Sequence, residues 1–392
     1  MPIYNETPEA LWKAIESVRN LEYELDKVHL YLAFDDDTEP EAFKYIMQKW
    51  ERDIEGSGRI IEIYDKINIS VCRFAHGGKK SAQQGAYNVI KSSHSQAELK
   101  DSFLFFIDSD IQLKSDALWQ FVRHMEIKGK NCLTGMITCV TSEKPSFLSY
   151  YQDIEYISGQ IFWRNMEDRF GATSCLPGAF TILRWTSFDG IADEYFEKTS
   201  YSDNFEYQRF YLGEDRYLTH LLMEKEPWKM GFCESARCKT EAPDTLIGLL
   251  KQRRRWFLGH ISNDTWMLSS LSLWRKYPLL TLFNFLNNSR NTSIYIYLLY
   301  FVIFLNKNVP FMMWFLYIML PIVLNWFFIM YYALTLKRKM NVIFYLMIVV
   351  FQPIFSMMFM YYTIYTIRQK SWGGVRVERS DEKPEMVEVI VQ

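Results

Sequence analysis

The sequence predicts an α/β protein: a mixed, mostly parallel sheet with helices on both faces, then amphipathic surface helices and an apolar helical region. Three observations carry this. Through the first half, short aromatic and β-branched runs alternate with helical periodicity, the pattern of a sheet wound with helices. Two of those runs end abruptly in acidic clusters. Residues 276–367 are largely apolar, whereas residues 1–275 are mixed and charged.

Met1–Tyr4 reads as the end of a first strand, so the chain is expected to lack its natural N-terminal part. Pro8–Asn20 has helical spacing. Val28–Phe34 is a buried strand ending in Asp35-Asp36-Asp37. Glu41–Ile54 is helical, Ile60–Tyr64 and Ile69–Cys72 are weaker strands, and Ser81–Ser92 is helical. Phe103–Ile107 is the clearest strand and ends in Asp108-Ser109-Asp110, before a helix over Ser115–Lys128. Sheets of this kind bind ligands beyond the carboxyl ends of their strands, where both acidic clusters fall. Leu246–Trp274 mixes Trp and basic residues and reads as helices on a membrane surface. Ser293–Leu305, Val309–Leu336 and Asn341–Ile367 are apolar, and the last two are long enough to cross about 30 Å of hydrocarbon. Lys337-Arg338-Lys339 looks cytoplasmic by the positive-inside rule. The expected units are residues 1–245, surface helices over 246–290, about three crossings over 291–367 and a polar tail over 368–392.

Composition narrows the chemistry. A net charge of -2 offers no global attraction to nucleic acid. Aromatic residues make up 17% of the chain, which suits sugar-stacking surfaces or membrane-interface belts. The six cysteines form no CxxC pair, so reduced thiols are expected rather than a zinc ribbon or disulfide framework.

Alternation along an extended chain puts Asp108 and Asp110 on one side. Two hard oxygen donors there can hold Mg2+ or Mn2+ against a diphosphate; the rival is a solvated turn. Asp36 or Asp35 can accept a hydrogen bond from a uracil N–H, or simply belong to an Asp-rich turn. Tyr4 and Glu6 offer an aromatic face and an acid, beside residues that equally cap the next helix. Gly77-Gly78-Lys79-Lys80 is a flexible turn whose cations, Lys80 among them, can meet phosphates or water. Glu214, Asp215 and Arg216 open a helix whose dipole favours acids; the catalytic reading makes Asp215 a base for an acceptor hydroxyl. In Gln252-Arg253-Arg254-Arg255-Trp256, an indole can stack on a pyranose face and arginines can grip pyrophosphate. The alternative there is a surface helix with snorkelling arginines.

Taken together, Asp36, Asp108-Ser109-Asp110, Glu214-Asp215-Arg216 and Gln252–Trp256 resemble the processive family 2 glycosyltransferases, and chitin synthases in particular. Tyr150–Tyr156 followed by Gln160 and Glu167 resembles that branch's acceptor-side helix. Cys175-Leu176-Pro177-Gly178-Ala179-Phe180 resembles its Leu-Pro-Gly loop, and Ser371-Trp372-Gly373-Gly374-Val375-Arg376 its terminal Trp motif. The resemblance implies a GT-A fold in a cytosolic domain, within an integral protein of the plasma membrane or secretory vesicles. UDP-N-acetylglucosamine would be the donor, with Tyr4, Glu6, Asp36, Lys80, Asp108, Gln252, Arg253 and Arg255 around it and Asp110 and Asp108 holding the metal. Asp215, helped by Glu214 and Arg216, would deprotonate the 4-hydroxyl of a growing chitin chain. Trp256 would stack on the acceptor, with Gln160, Glu167, Leu176, Pro177, Gly178 and Trp372 on the acceptor side. The chain would leave through the bilayer; a homo-oligomer is left open. Rival readings are a hyaluronan-like polymer or glycolipid synthase, and a non-catalytic membrane protein.

Overall fold

The computed structural model describes residues 1–36, 39–51, 60–139, 146–197, 203–290 and 310–369. Asp37, Trp372 with its motif, and the apolar stretch Ser293–Leu305 lie outside the described residues.

Nine strands form two sheets among the described residues. They are β1 (Pro2–Ile3), β2 (His29–Asp35), β3 (Ile60–Asp65), β4 (Ile67–Phe74), β5 (Phe103–Ile107), β6 (Gln112–Leu113), β7 (Cys132–Cys139), β8 (Phe180–Arg184) and β9 (Met230–Thr240). The first sheet has the order β1-β2-β4-β3 and the second β5-β8-β7-β9-β6. The sheets are mixed rather than mostly parallel. β1–β2, β2–β4 and β7–β9 run parallel, but β3–β4, β5–β8, β7–β8 and β6–β9 run antiparallel. At β3–β4 the cause is local. Only Lys66 separates the two strands, with a left-handed φ of 61°, and a parallel return needs a crossover of a dozen residues or more.

The parallel strands bring chemistry to one edge. β1 and β2 are in register at Pro2↔Ala33 and Ile3↔Phe34, so Tyr4 leaves the sheet beside Asp35. In the second sheet Ile107 pairs with Phe180, which sets Asp108 against the Leu-Pro-Gly loop; its N–H donates to the Ala179 carbonyl at 3.3 Å. One core under the sheets joins Leu11 and Ile15, from the Pro8–Arg19 helix, to Leu32, Phe34, Phe121 and Phe180.

The 24-residue helix Leu246–Ser269 turns Arg253, Arg254, Asn263 and Asp264 inward along with Leu249 and Leu258. Two long helices follow, Phe311–Thr335 and Lys339–Tyr365. They pack on the Phe147–Ser158 helix through Tyr151, Ile154, Ile329, Tyr345 and Phe359. The fully buried Asp153 anchors them, accepting from Asn341 Nδ2 at 2.7 Å and pairing with Arg338 at 3.3 Å. Their outer faces expose Phe315, Leu320, Phe327, Phe328, Leu346 and Ile354. Among the described residues, no helix is long and apolar enough to cross a membrane. Asn325 and Gln352, one in each of these helices, line a large cleft.

Candidate active site

That cleft, about 1990 Å³, runs from the strand edge to the space between the two long helices. At its strand end Asp35, 1% exposed, is held by three donors: the N–H groups of Gly77 (2.8 Å) and Gly78 (3.2 Å), and His76 Nδ1 (3.1 Å). Gly78 sits at φ 87°, and a Cβ there would lie 2.6 Å from the Tyr211 hydroxyl. Tyr4 stacks on His76 with centroids 4.7 Å apart. Asp35 lines the cleft; Asp36 lies outside that lining.

The hydrogen bond to Asp35 raises the His76 pKa above its ordinary value, against the opposing effect of burial. The stabilisation from this pair is therefore complete below about pH 6.5, the unfolded value, and is lost as pH rises through the raised folded value. NMR titration of the His76 imidazole should give a midpoint above about 6.5; a midpoint at or below it contradicts the contact.

Of the two adjacent lysines, it is Lys79 that enters the cleft. Its Nζ lies 2.7 Å from Asp108 and 3.5 Å from Glu214. Lys80 is buried instead, its ammonium 5.0 Å from the Tyr195 ring centroid and 5.5 Å from that of Tyr217. Burial pushes the Asp108 carboxyl up, but Lys79 and then Arg255 pull it below the usual carboxylate range. Ser109 Oγ donates to Glu6 at 2.9 Å, and Thr240 Oγ1, at the end of β9, donates to Asp110 at 2.6 Å. Asp108, Ser109 and Asp110 all line the cleft: the chain turns here rather than running on as a strand, with the Ile111 N–H donating to the Asp108 carbonyl at 3.3 Å, so strand alternation is not what brings the two carboxylates together.

Across from them, Glu214, Asp215 and Arg216 line the cleft at the start of the Glu214–Lys225 helix. Burial and then the charge of Asp215 hold Glu214 above its ordinary pKa, although Lys79 opposes them. Cys175 Sγ donates to Asp215 at 3.1 Å, and Arg216 pairs with the buried Asp264 at 3.3 Å. Burial, with Asp215 next in effect, pushes the Cys175 thiol up to about 12, so it stays a donor.

The arginine triplet divides three ways, because successive helical residues point about 100° apart. Arg253 meets Glu155 at 2.6 Å and lies 4.2 Å over the Trp256 ring, which also meets Tyr156 edge-on. Arg255 lines the cleft, where its charge acts on Asp108 and Glu214. Arg254, 2% exposed, turns away and donates to Thr366 Oγ1 (2.7 Å) and to the carbonyls of Thr366 (2.7 Å) and Gln369 (2.5 Å). It thus caps the C-terminal end of the last long helix, where carbonyls lack helical partners. Arg254→Met should lower stability by about 3 kcal/mol through the carbonyls left unpaired, read as a fall in thermal midpoint. An unchanged midpoint would remove this capping role.

On the remaining wall, Gln160, Pro177 and Gly178 line the cleft, and Lys79 Nζ lies 3.1 Å from where a Gly178 Cβ would be. Glu167 and Leu176 stand behind it. Glu167 takes the Ser174 hydroxyl at 2.5 Å and Arg164 at 3.1 Å, fastening the loop, while Leu176 is in the core with its N–H on Thr219 at 2.7 Å. Gln252 lines the cleft and accepts from Arg253 at 2.7 Å. Sequence reasoning missed Lys79 as the cleft lysine, the Cys175 thiol, Thr240 and Asp264. Asp264 left a readable trace: an acid on the inward face of a helix, three turns after Arg253.

A family model described as chitin synthase matches residues 87–389. Chitin synthase 7 of Verticillium dahliae is 39% identical over 319 residues, which cover 78% of this chain and 45% of that protein. Chitin synthase D of Aspergillus fumigatus is 39% identical over 320 residues, covering 78% of this chain and 42% of that one. The chain thus spans less than half the length of these two relatives. A mannosyltransferase from Pyrobaculum calidifontis, solved with GDP-Man and Mn2+, matches with a TM-score of 0.50 at 12% identity, over 88% of this chain and 84% of that one. That likeness shows a shared mixed α/β, GT-A-like fold.

Proposed function

Because the chain belongs to the chitin synthase family, we propose that it moves N-acetylglucosamine from UDP-N-acetylglucosamine to the 4-hydroxyl of a growing β-1,4-linked chain. The observation that carries this is one cleft lined by the Lys79–Asp108 pair, Asp110, Asp215, Arg255 and Trp256. A nucleotide sugar needs cations and hard oxygen donors, an acceptor hydroxyl needs a base, and a sugar ring needs an aromatic face.

In this reading the uridine lies at the strand edge between Tyr4 and Asp35, and Lys79 and Arg255 face the diphosphate. Asp215 takes the proton of the acceptor hydroxyl as it attacks the anomeric carbon from the face opposite the leaving diphosphate, a single inverting displacement. Trp256, held by Arg253 and Tyr156, carries the acceptor ring. Arg216 stays with Asp264 and keeps the turn in place.

The donor set suits a divalent metal. The cleft presents the carboxylates of Asp108 and Asp110 side by side. Mg2+ is commonly held in that way, with substrate phosphates and water completing its shell. Asp110, with Asp108, would hold Mg2+ or Mn2+, which when bound neutralises charge on the departing diphosphate.

Two features support work at a bilayer with export. The exposed apolar faces of the long helices form a patch of the kind that marks membrane contact. The cleft also continues between those helices past Ile329, Tyr345, Ile348 and Phe359, and in this reading the sugar chain follows that path. Incubating membranes that carry the protein with radiolabelled UDP-N-acetylglucosamine and a divalent metal should give an insoluble product that chitinase releases. A lipid-extractable or hyaluronidase-sensitive product would overturn the reading.

A further inference from the structure

The Glu214–Asp215 turn begins at an awkward junction. The π-helical turn Gln208–Leu212 closes with the Gly213 N–H on the Gln208 carbonyl at 3.0 Å, and the Glu214–Lys225 α-helix starts at the next residue. A π turn holds one residue more than an α turn. Slipping between the two would rotate everything after it by about one residue's step, roughly 100°. Beside the turn's own hydrogen bond, what it packs against helps to fix its register.

It packs against the Leu246–Ser269 helix with no side chain between the backbones. A Cβ on Gly259 would lie 2.7 Å from Gly213 Cα, and one on Gly213 would lie 2.8 Å from Gly259 Cα. Asn263, 0% exposed, shares its amide hydrogens among the carbonyls of Arg209 (3.0 Å), Gly213 (3.2 Å) and Gly259 (2.9 Å). Asp264, 2% exposed, pairs with Arg216 at 3.3 Å and accepts from Asn288 Nδ2 at 2.6 Å. Stability alone explains this poorly: Asn263 Oδ1 is buried without a hydrogen-bond partner among the described residues, and such a group costs free energy.

We propose that Asn263 and Asp264 are positioning residues for the base: they clamp the π-to-α junction in the register that aims Asp215 into the cleft. This rests on the reading of Asp215 as the base. The clamp and the indole of Trp256 share one helix, so base and acceptor platform are held on a single rigid element.

The test uses Asn263→Ala and the isosteric Asp264→Asn in the full chain. Each should lower kcat by roughly 100-fold, the cost of a misplacement of about 1 Å, with the KM for UDP-N-acetylglucosamine within about twofold. Deuterium uptake at the amides of residues 214–217 should rise about tenfold while that of Phe103–Ile107 stays as in the wild type. Wild-type uptake at 214–217, or a KM that rises as far as kcat falls, overturns the proposal. Should Asn263→Ala raise uptake throughout the chain, it has unfolded, and Asp264→Asn, which keeps the side-chain shape, decides. The exchange measurement needs no turnover. A wild-type chain that transfers no sugar therefore sinks the functional reading, while uptake at 214–217 still decides whether the clamp exists.

Discussion

Asp215→Asn is expected to lower transfer by roughly 1000-fold while leaving UDP affinity within about twofold of wild type. The substitution keeps the shape of the side chain and an oxygen for the Cys175 thiol, which lies 3.1 Å from the carboxylate. It removes the negative charge and the capacity to take a proton, and leaves one oxygen where the carboxylate used two, one for the thiol and one for the Arg216 N–H at 2.8 Å. Glu214 is a poor substitute despite lying next door: it is 5% exposed and already faces Lys79 at 3.5 Å. Initial rates with labelled donor, set beside calorimetric UDP binding, make the check. Turnover above about 5% of wild type would remove Asp215 from the role of base.

Asp110→Ala is expected to remove the metal-dependent part of donor binding. Thr240 Oγ1 donates to one carboxylate oxygen at 2.6 Å and fixes how the group is presented to the cleft. Asp108 cannot stand in without cost, because its charge is engaged by Lys79 at 2.7 Å. Affinity for UDP-N-acetylglucosamine in the presence of Mg2+ or Mn2+ should fall on the order of 100-fold, and a chelator should then have no further effect. Donor binding by the variant that still responds to chelation would move the metal elsewhere.

Much of this was legible in the chain, for reasons that differ by element. Phe103–Ile107 was readable to the residue because five apolar residues stop dead at an acid. The Pro8–Arg19 helix was readable because Thr7, Pro8 and its apolar spacing agree. The strand directions were not, since β8 and β9 join the sheet through pairings far away in sequence, such as Cys132↔Leu183 and Cys132↔Met230. Composition carries no trace of such partners. In the site, residue type was legible but facing was not. Lys79 and Lys80 are adjacent, and only the start of their helix at Lys79 decides which one meets Asp108 and which one meets Tyr195. The same holds for Asp35 and Asp36 at the end of β2.

The division of the arginine triplet has an evolutionary corollary. Three neighbouring codons serve three separate masters: an aromatic platform through Arg253, a helix terminus through Arg254 and the acids of the cleft through Arg255. A single-residue insertion or deletion inside the triplet would hand each side chain its neighbour's task. Drift in this stretch should therefore proceed by replacement, never by change of length.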